Sequence, residues 1–291
     1  KVGLLVAYAD KGSMAADNQG YDLARQYFNE NLKICREIGH QLGVAGTLLS
    51  LGHIETHFGD KAQGRRLMEE SLSLYRVSKD KSGIAGALRA IGLSELYAEN
   101  MESSREHYEQ ALRIDRELRS GPGIGIALIA LGEIARSQSD YAAARDYYEE
   151  ALHLNERLGQ MGIVNIVAHN LGYVARQQGD LDKALEFFHK SLAMSLERDQ
   201  RRLIFFCLSG IACVLVDQGA YENAARLFGF SEKYGQDHNY HFDPVDQWEV
   251  DQSIEKLEMK MSENERQDCW KSGKNMTMEE AIQIAKGDHE N

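Results

Sequence analysis

The sequence predicts an all-α superhelical solenoid of about six helical hairpins closed by a small C-terminal helical cap. Three observations predict it: a 40-residue period without insertions, two turn signals in every period, and only 2 prolines in 291 residues. Proline in a helix interior removes a hydrogen bond and clashes with the preceding turn, so its scarcity suits a chain that is helical almost throughout.

The period is read by direct overlay. Leu51-Gly52, Ile91-Gly92, Leu131-Gly132, Leu171-Gly172 and Ile211-Ala212 stand 40 residues apart, and Lys11-Gly12 falls on the same grid one period earlier. Self-similarity at that spacing marks a stack of supersecondary units. In the second half of each unit a small residue recurs at Ala24, Gly64, Ser104, Ala144, Ala184 and Ala224. A bulky one follows at Phe28, Met68, Tyr108, Tyr148, Phe188 and Phe228, and then Leu32, Leu72, Leu112, Leu152 and Leu192, until Glu232 breaks the rule. Small residues let two helix backbones approach while Tyr148 or Phe188 fills the space beside them, so each hairpin buries a face against the next.

The turns come next. Gly59-Asp60, Glu99-Asn100, Ser139-Asp140, Gly179-Asp180 and Gly219-Ala220 divide each unit into two helices. Glycine accepts the left-handed conformation that ends a helix, and Asp or Asn caps the following one. A second punctuation, at Gly39 and Gly43, Gly83, Gly121 and Gly123, and Gly159 and Gly162, is expected to separate one unit from the next.

Composition excludes several classes. Hydrophobic residues at 43% and charged residues at 27% describe a folded chain. A formal charge of -12 without a basic cluster argues against direct nucleic-acid binding. Cys35, Cys207, Cys213 and Cys269 have no metal-ligand spacing and read as reduced thiols of a cytoplasmic protein. No 18-residue apolar run suggests a membrane span, and Lys1-Val2-Gly3-Leu4-Leu5-Val6 lacks both a signal-peptide layout and an initiator Met, so a segment of something longer is expected.

These recurring residues resemble the tetratricopeptide repeat, with its Leu-Gly, Tyr, Ala, Phe and Ala pattern, over residues 1–235. The usual unit of about 34 residues ends in proline; here the unit is longer and the proline is absent. The 40-residue variant resembles that of kinesin light chains, polarity-complex scaffolds and bacterial regulators.

After Phe228 the period stops, and residues 236–291 read as three short helices started by Asp243-Pro244, Ser262 with Glu265, and Thr277 with Glu280, the latter two at capping-box spacing. Arg226-Leu227-Phe228-Gly229, Glu232, Pro244, Trp248, Leu257, Trp270, Gly273 and Thr277 to Ile282 resemble the C-terminal end of large bacterial signal-transducing ATPases and LuxR-type transcriptional regulators. That likeness implies a sensor region, with an upstream ATPase module in the full-length chain and a protein or peptide partner, or a small-molecule inducer, as ligand.

Catalytic motifs are missing, and no cofactor is expected. No Gly-x-x-x-x-Gly-Lys-Ser/Thr loop occurs, and Gly121-Pro122-Gly123-Ile124-Gly125 lacks the strand and spacing of a dinucleotide loop and is placed at a turn between units. His53 and His57 share one helix face, but His-Ile-Glu-Thr-His is not the zincin order, so solvated surface histidines are expected and no metal. Asn275-Met276-Thr277 fits a glycosylation acceptor, but Thr277 is better used as a helix cap.

By analogy with the family, ligands lie against the concave face formed by the first helix of each unit. The 40-residue grid then nominates His57, Arg89, Tyr97, Glu133, Arg136, His169, Tyr173, Arg176 and Gln177, with His53, Thr56, Leu93, Leu96, Ile129, Ser137, Ser209, Cys213 and Asp217 beside them. Arg136 and Arg176 are equivalent residues one repeat apart, near Tyr97 and Tyr173. Such a pair could clasp a carboxylate or phosphate, or could pair with neighbouring Glu and Asp side chains to order the stack. A regulator's sensor, a general protein-interaction scaffold and a receptor for signalling peptides all fit; with no convergent acid, base and nucleophile, catalysis fits worst.

Overall fold

The computed structural model describes residues 2–287; Lys1, from the opening stretch read above, and residues 288–291 lie outside them. Among the described residues there are helices and no strands. They run α1 (Val2–Asp17), α2 (Tyr21–Glu37), α3 (Gln41–Phe58), α4 (Lys61–Val77), α5 (Lys81–Tyr97), α6 (Met101–Leu118), α7 (Gly121–Ser137) and α8 (Tyr141–Arg157), then α9 (Met161–Gln177), α10 (Leu181–Glu197), α11 (Arg201–Gln218), α12 (Tyr221–His238), α13 (Pro244–Lys260), α14 (Glu263–Lys274) and α15 (Met278–Lys286). Consecutive helices make an all-α solenoid of hairpins, and the chain divides into two compact units, Lys1–Ile134 and Ala135–Asn291.

A left-handed residue closes nearly every helix of the repeats. It recurs at Gln19, Gly39, Lys79, Glu99, Arg119, Ser139, Gly159, Gly179, Asp199, Gly219 and Asn239, with φ between 50° and 83°. Gly59 departs from the series with φ -142°. The side chains of Asp60, Asp80, Asp140 and Asp180 accept backbone N–H groups of the helix that follows, whereas Asn100 makes no such cap.

Of the second set of glycines, Gly39 and Gly159 sit at the turns between units as expected, and the others do not. The turns between units bend at Gly39, Lys79, Arg119, Gly159 and Asp199, while Gly43, Gly83, Gly121, Gly123 and Gly162 lie inside the first turns of α3, α5, α7 and α9. Three of them are there for close packing. A Cβ on Gly43 would strike the Cys35 thiol, one on Gly83 the Tyr75 ring, and one on Gly123 the Asp115 carboxyl. Gly121-Pro122-Gly123 is therefore the start of a helix, not a turn; Pro122 stands in that first turn, where a missing N–H is harmless.

In the first unit the core gathers Phe28, Leu32, Val44, Leu48, Leu51 and Ile54, then Met68, Leu72, Leu88 and Ile91. Gly52 and Gly64 let α3 and α4 touch: a Cβ on Gly52 would lie 3.0 Å from the Gly64 carbonyl oxygen. Ser104, the residue equivalent to Gly64, donates to the Gly92 carbonyl at 2.7 Å across the next hairpin.

In the second unit Tyr173, Phe188, Leu208, Ile211, Leu227 and Phe228 form a core that continues into Val250, Leu257, Ala281 and Ala285 of the last three helices. Pro244 opens α13, and both capping boxes form, Ser262 with Glu265 on α14 and Thr277 with Glu280 on α15. Helix α14 crosses α12 at two glycines: a Cβ on Gly229 would run into the Trp270 backbone and one on Gly273 into the Arg226 carbonyl. Glu232, which broke the apolar pattern, accepts from Trp270 Nε1 at 2.5 Å and from Lys274 Nζ at 2.9 Å.

Candidate functional site

The nominated residues fall into two groups, one in each unit, and each is built differently.

In the first unit the last turns of α3 and α5 carry rings. His53 and His57 stack with centroids 6.4 Å apart, and His57 meets Tyr97 edge-on at 5.2 Å. Phe58 stacks on Tyr21 at 3.5 Å. Phe58 and Tyr97 are each 55% exposed, while burial, and then neighbouring His57, push the His53 imidazole below its ordinary value. Thr56 is buried and donates to the Gly52 carbonyl at 2.9 Å, so its hydroxyl serves the helix. Arg89 is held by an ion pair with the nearly buried Asp115, and Glu133 is half-buried. Among the described residues no group of three His, Cys, Asp or Glu side chains could hold a metal ion.

In the second unit the nominated side chains converge, but beneath another part of the same chain. Helix α13 lies on the first-helix side of α9 and α11 and presents Asp246, Glu249, Val250, Ser253 and Leu257, all buried, to it. These residues recur at the i, i+3, i+4, i+7 and i+11 spacing of one helix face. Arg136 Nη2 donates to Asp246 Oδ1 at 2.6 Å, and His169 Nε2 stands 3.3 Å from Asp246 Oδ2. Arg176 uses all three nitrogens: Nε to Asp217 at 2.6 Å, Nη1 to Glu249 at 2.7 Å and Nη2 to Ser253 Oγ at 2.8 Å. Gln177 adds a bond to Glu249 at 2.6 Å, and Lys256 reaches back to Asp217 at 2.8 Å. Tyr173 packs edge-on to His169 at 5.2 Å and lies 5.3 Å under the Arg136 guanidinium. The two arginines thus clasp carboxylates, and those on α13 were not among the residues nominated from the repeats.

Burial sets the electrostatics. It pushes the Asp246 carboxyl up, but the Arg136 charge and the His169 hydrogen bond outweigh it and hold that carboxyl well below the usual range. At Glu249 burial prevails over the pull of Arg176, whose single guanidinium also serves Asp217, and the carboxyl sits above its ordinary value. The Cys207 and Cys213 thiols are pushed up to about 12 by burial. Cys213 points at the Glu249 carbonyl at 3.8 Å, under α13. Fit is incomplete at one end: Arg136 Nε and Nη1 and the Tyr173 hydroxyl are buried with no hydrogen-bond partner among the described residues. Such groups cost about 1–3 kcal/mol each when left unpaired. Beside Arg176 an open recess of ≈ 350 Å³ is lined by Gln177, Gly179, Leu181 and Asp217.

Asp246, Glu249 and Ser253 are the residues that reading the repeats alone misses. Their signal is the helical stripe they share with Val250 and Leu257. It is hard to see because three of its five members are polar.

Residues 83–157 and 164–229 match the Tetratricopeptide repeat family. The apo form of RapI is similar in structure, with a TM-score of 0.65 at 14% identity, covering 92% of this chain and 98% of that one. A Signal Transduction ATPase with Numerous Domains protein with a tetratricopeptide repeat sensor, from Pyrococcus horikoshii, gives 0.70 at 16% identity over 88% of this chain and 41% of that one. A Rap protein complexed with Competence and Sporulation Factor gives 0.60 at 15% identity, covering 89% and 77%. At these identities the likeness shows the fold. No curated protein matches the sequence, and among the described residues no helix is long and apolar enough to cross a membrane.

Proposed function

We propose that this chain, a tetratricopeptide-repeat protein, is the peptide- or protein-sensing segment of a multidomain bacterial regulator, and that it meets its ligand on the first helices of the first unit, around His57 and Tyr97. Helical repeats of this type are suited to protein binding. One observation carries the placement: Phe58 and Tyr97 hold their rings in solvent, each 55% exposed, with His57 edge-on to Tyr97. Neighbouring exposed rings offer large, rigid contact area with little entropy to lose, the chemistry of binding hot spots. The regulator part draws support from the tail residues Trp270 to Ile282 and from the Pyrococcus protein of like fold, whose repeats are a sensor.

Peptide display against the full chain tests the placement. Enriched peptides should bind Tyr97→Ala or His57→Ala at least tenfold more weakly while thermal melting is unchanged. Peptides indifferent to both substitutions would remove the site from this face. The coding sequence ahead of residue 1 tests the regulator part: it should encode a phosphate-binding loop of an ATPase, and a reading frame without one overturns that assignment.

A further inference from the structure

The buried faces of α10, α11 and α12 are chiefly apolar, whereas α13 enters the first-helix side of α9 and α11 with Asp246, Glu249 and Ser253 among its five buried residues. Buried charge pairs give register and selectivity more than net stability. The helix is joined to α14 by the Arg266–Glu258 ion pair at 3.2 Å, whose Glu258 side chain is half exposed. Residues 240–243 before it are non-helical, and α14 and α15 are held to the repeats by their own contacts, Trp270 and Lys274 to Glu232 and His189 to the Ala285 carbonyl at 2.7 Å. Releasing α13 therefore leaves the rest of the cap in place. Its fit is imperfect too, since Arg136 Nε, Arg136 Nη1 and the Tyr173 hydroxyl are buried without partners beside Asp246.

We propose that the groove formed by α9, α11 and Arg136 is a receptor for an acidic helix, that α13 is its exchangeable occupant in cis, and that its external partner is an amphipathic helix presenting carboxylates three residues apart. Arg136 takes the first carboxylate and Arg176 with Gln177 the second, as they take Asp246 and Glu249. A partner whose first acidic group reaches Arg136 with two oxygens satisfies donors that α13 leaves idle. All of these residues belong to the second unit, so the inference stands apart from the aromatic face of the first.

The probe is a fluorescent peptide with the sequence of residues 243–262, titrated into the full chain. In the wild type the tethered α13 competes at an effective concentration on the order of millimolar, so the peptide should bind weakly. In Asp246→Asn, which takes the carboxylate from the Arg136 pair and so weakens the tethered copy, it should bind at least tenfold more tightly. A peptide carrying the same Asp246→Asn substitution should bind at least tenfold more weakly. Equal, weak binding to both proteins, or binding indifferent to the amide in the peptide, overturns the proposal. A shift of the variant to dimers in sedimentation, without peptide binding, would assign the groove to a second copy and also overturn it. Should the variant not fold, the wild type supplies the test: iodoacetamide should label Cys213, covered by α13, faster than Cys207 and at a rate raised by mild urea before helicity falls. Equal, slow labelling of both thiols overturns exchangeability.

Discussion

Arg176→Ala is the most informative single perturbation of the buried cluster. The arginine joins three partners, Asp217 on α11 and Glu249 and Ser253 on α13, at 2.6, 2.7 and 2.8 Å. Its removal leaves the Glu249 carboxylate, whose side chain is 1% exposed, with the Gln177 amide as its remaining side-chain donor. Stripping one member from a buried ion pair costs about 3–5 kcal/mol, because the other charge stays desolvated. That equals a shift of roughly two to four orders of magnitude in the docking equilibrium of α13, at about 1.4 kcal/mol per tenfold. The loss has a ceiling. Once it exceeds the docking energy, α13 lifts away and Glu249 is rehydrated, so the damage stays local.

Both tryptophans lie in the cap, Trp248 on α13 and Trp270 on α14, so fluorescence reads this region while far-UV dichroism reads the solenoid. In urea, Arg176→Ala should move the fluorescence transition to lower denaturant and separate it from the loss of helicity. Adding Glu249→Gln should recover most of the difference, since the stranded charge is gone. Coincident transitions within about 1 kcal/mol of the wild type, or no recovery in the double variant, would refute the view that Arg176 neutralises a buried carboxylate.

Other outcomes follow from the same contacts. The Asp246 carboxyl is held low, so its contribution is complete above an unfolded value of about 3.9 and is lost as pH falls through the lower folded value; that of Glu249 is held high, so its ionisation weakens docking as pH rises past about 4.3. The Trp248 transition should therefore be no less stable at mildly acid than at neutral pH and should collapse in strong acid, and Glu249→Gln should flatten the upper limb of that profile. Gly273→Ala puts a methyl group against the Arg226 carbonyl and should cost about 1–3 kcal/mol, read as a more solvent-exposed Trp270 emission. Asp180→Ala removes the cap on α10, whose Lys183 N–H it accepts at 3.1 Å, and should lower stability by about 1 kcal/mol in thermal melts.

The solenoid was legible because its determinants are local and periodic. Leu-Gly pairs 40 residues apart, small residues opposite them and Asp caps each act within one hairpin, so a single overlay shows them all. The start signals of the cap were legible for the same reason, because Ser262 with Glu265 and Thr277 with Glu280 act over one turn. The turns at Gly39 and Gly159 were legible, whereas those at Lys79 and Arg119 were misplaced onto Gly83, Gly121 and Gly123, because non-glycine residues take the left-handed conformation there while Gly43, Gly83 and Gly123 serve the close crossing of helices.

The groove shows why the candidate site was harder to read than the fold. The equivalence of Arg136 and Arg176 is visible on the grid, and so is their suitability for carboxylates. What meets them depends on pairings 110 and 73 residues distant in sequence, Arg136 with Asp246 and Arg176 with Glu249. Periodicity carries no information about such pairs. A helix that buries acids instead of leucines also looks, in one dimension, like a solvated one. Asp246, Glu249 and Ser253 are polar on the side that a core helix would make apolar, and Met259, 79% exposed, is apolar where a surface helix would be polar. A helix docked through charges reverses the usual reading of amphipathicity. Its partner surface is found by asking which buried cations the repeats leave short of acid: among the described residues Arg136 is paired with Asp246 of α13 alone, and Arg176 shares Asp217 with Lys256.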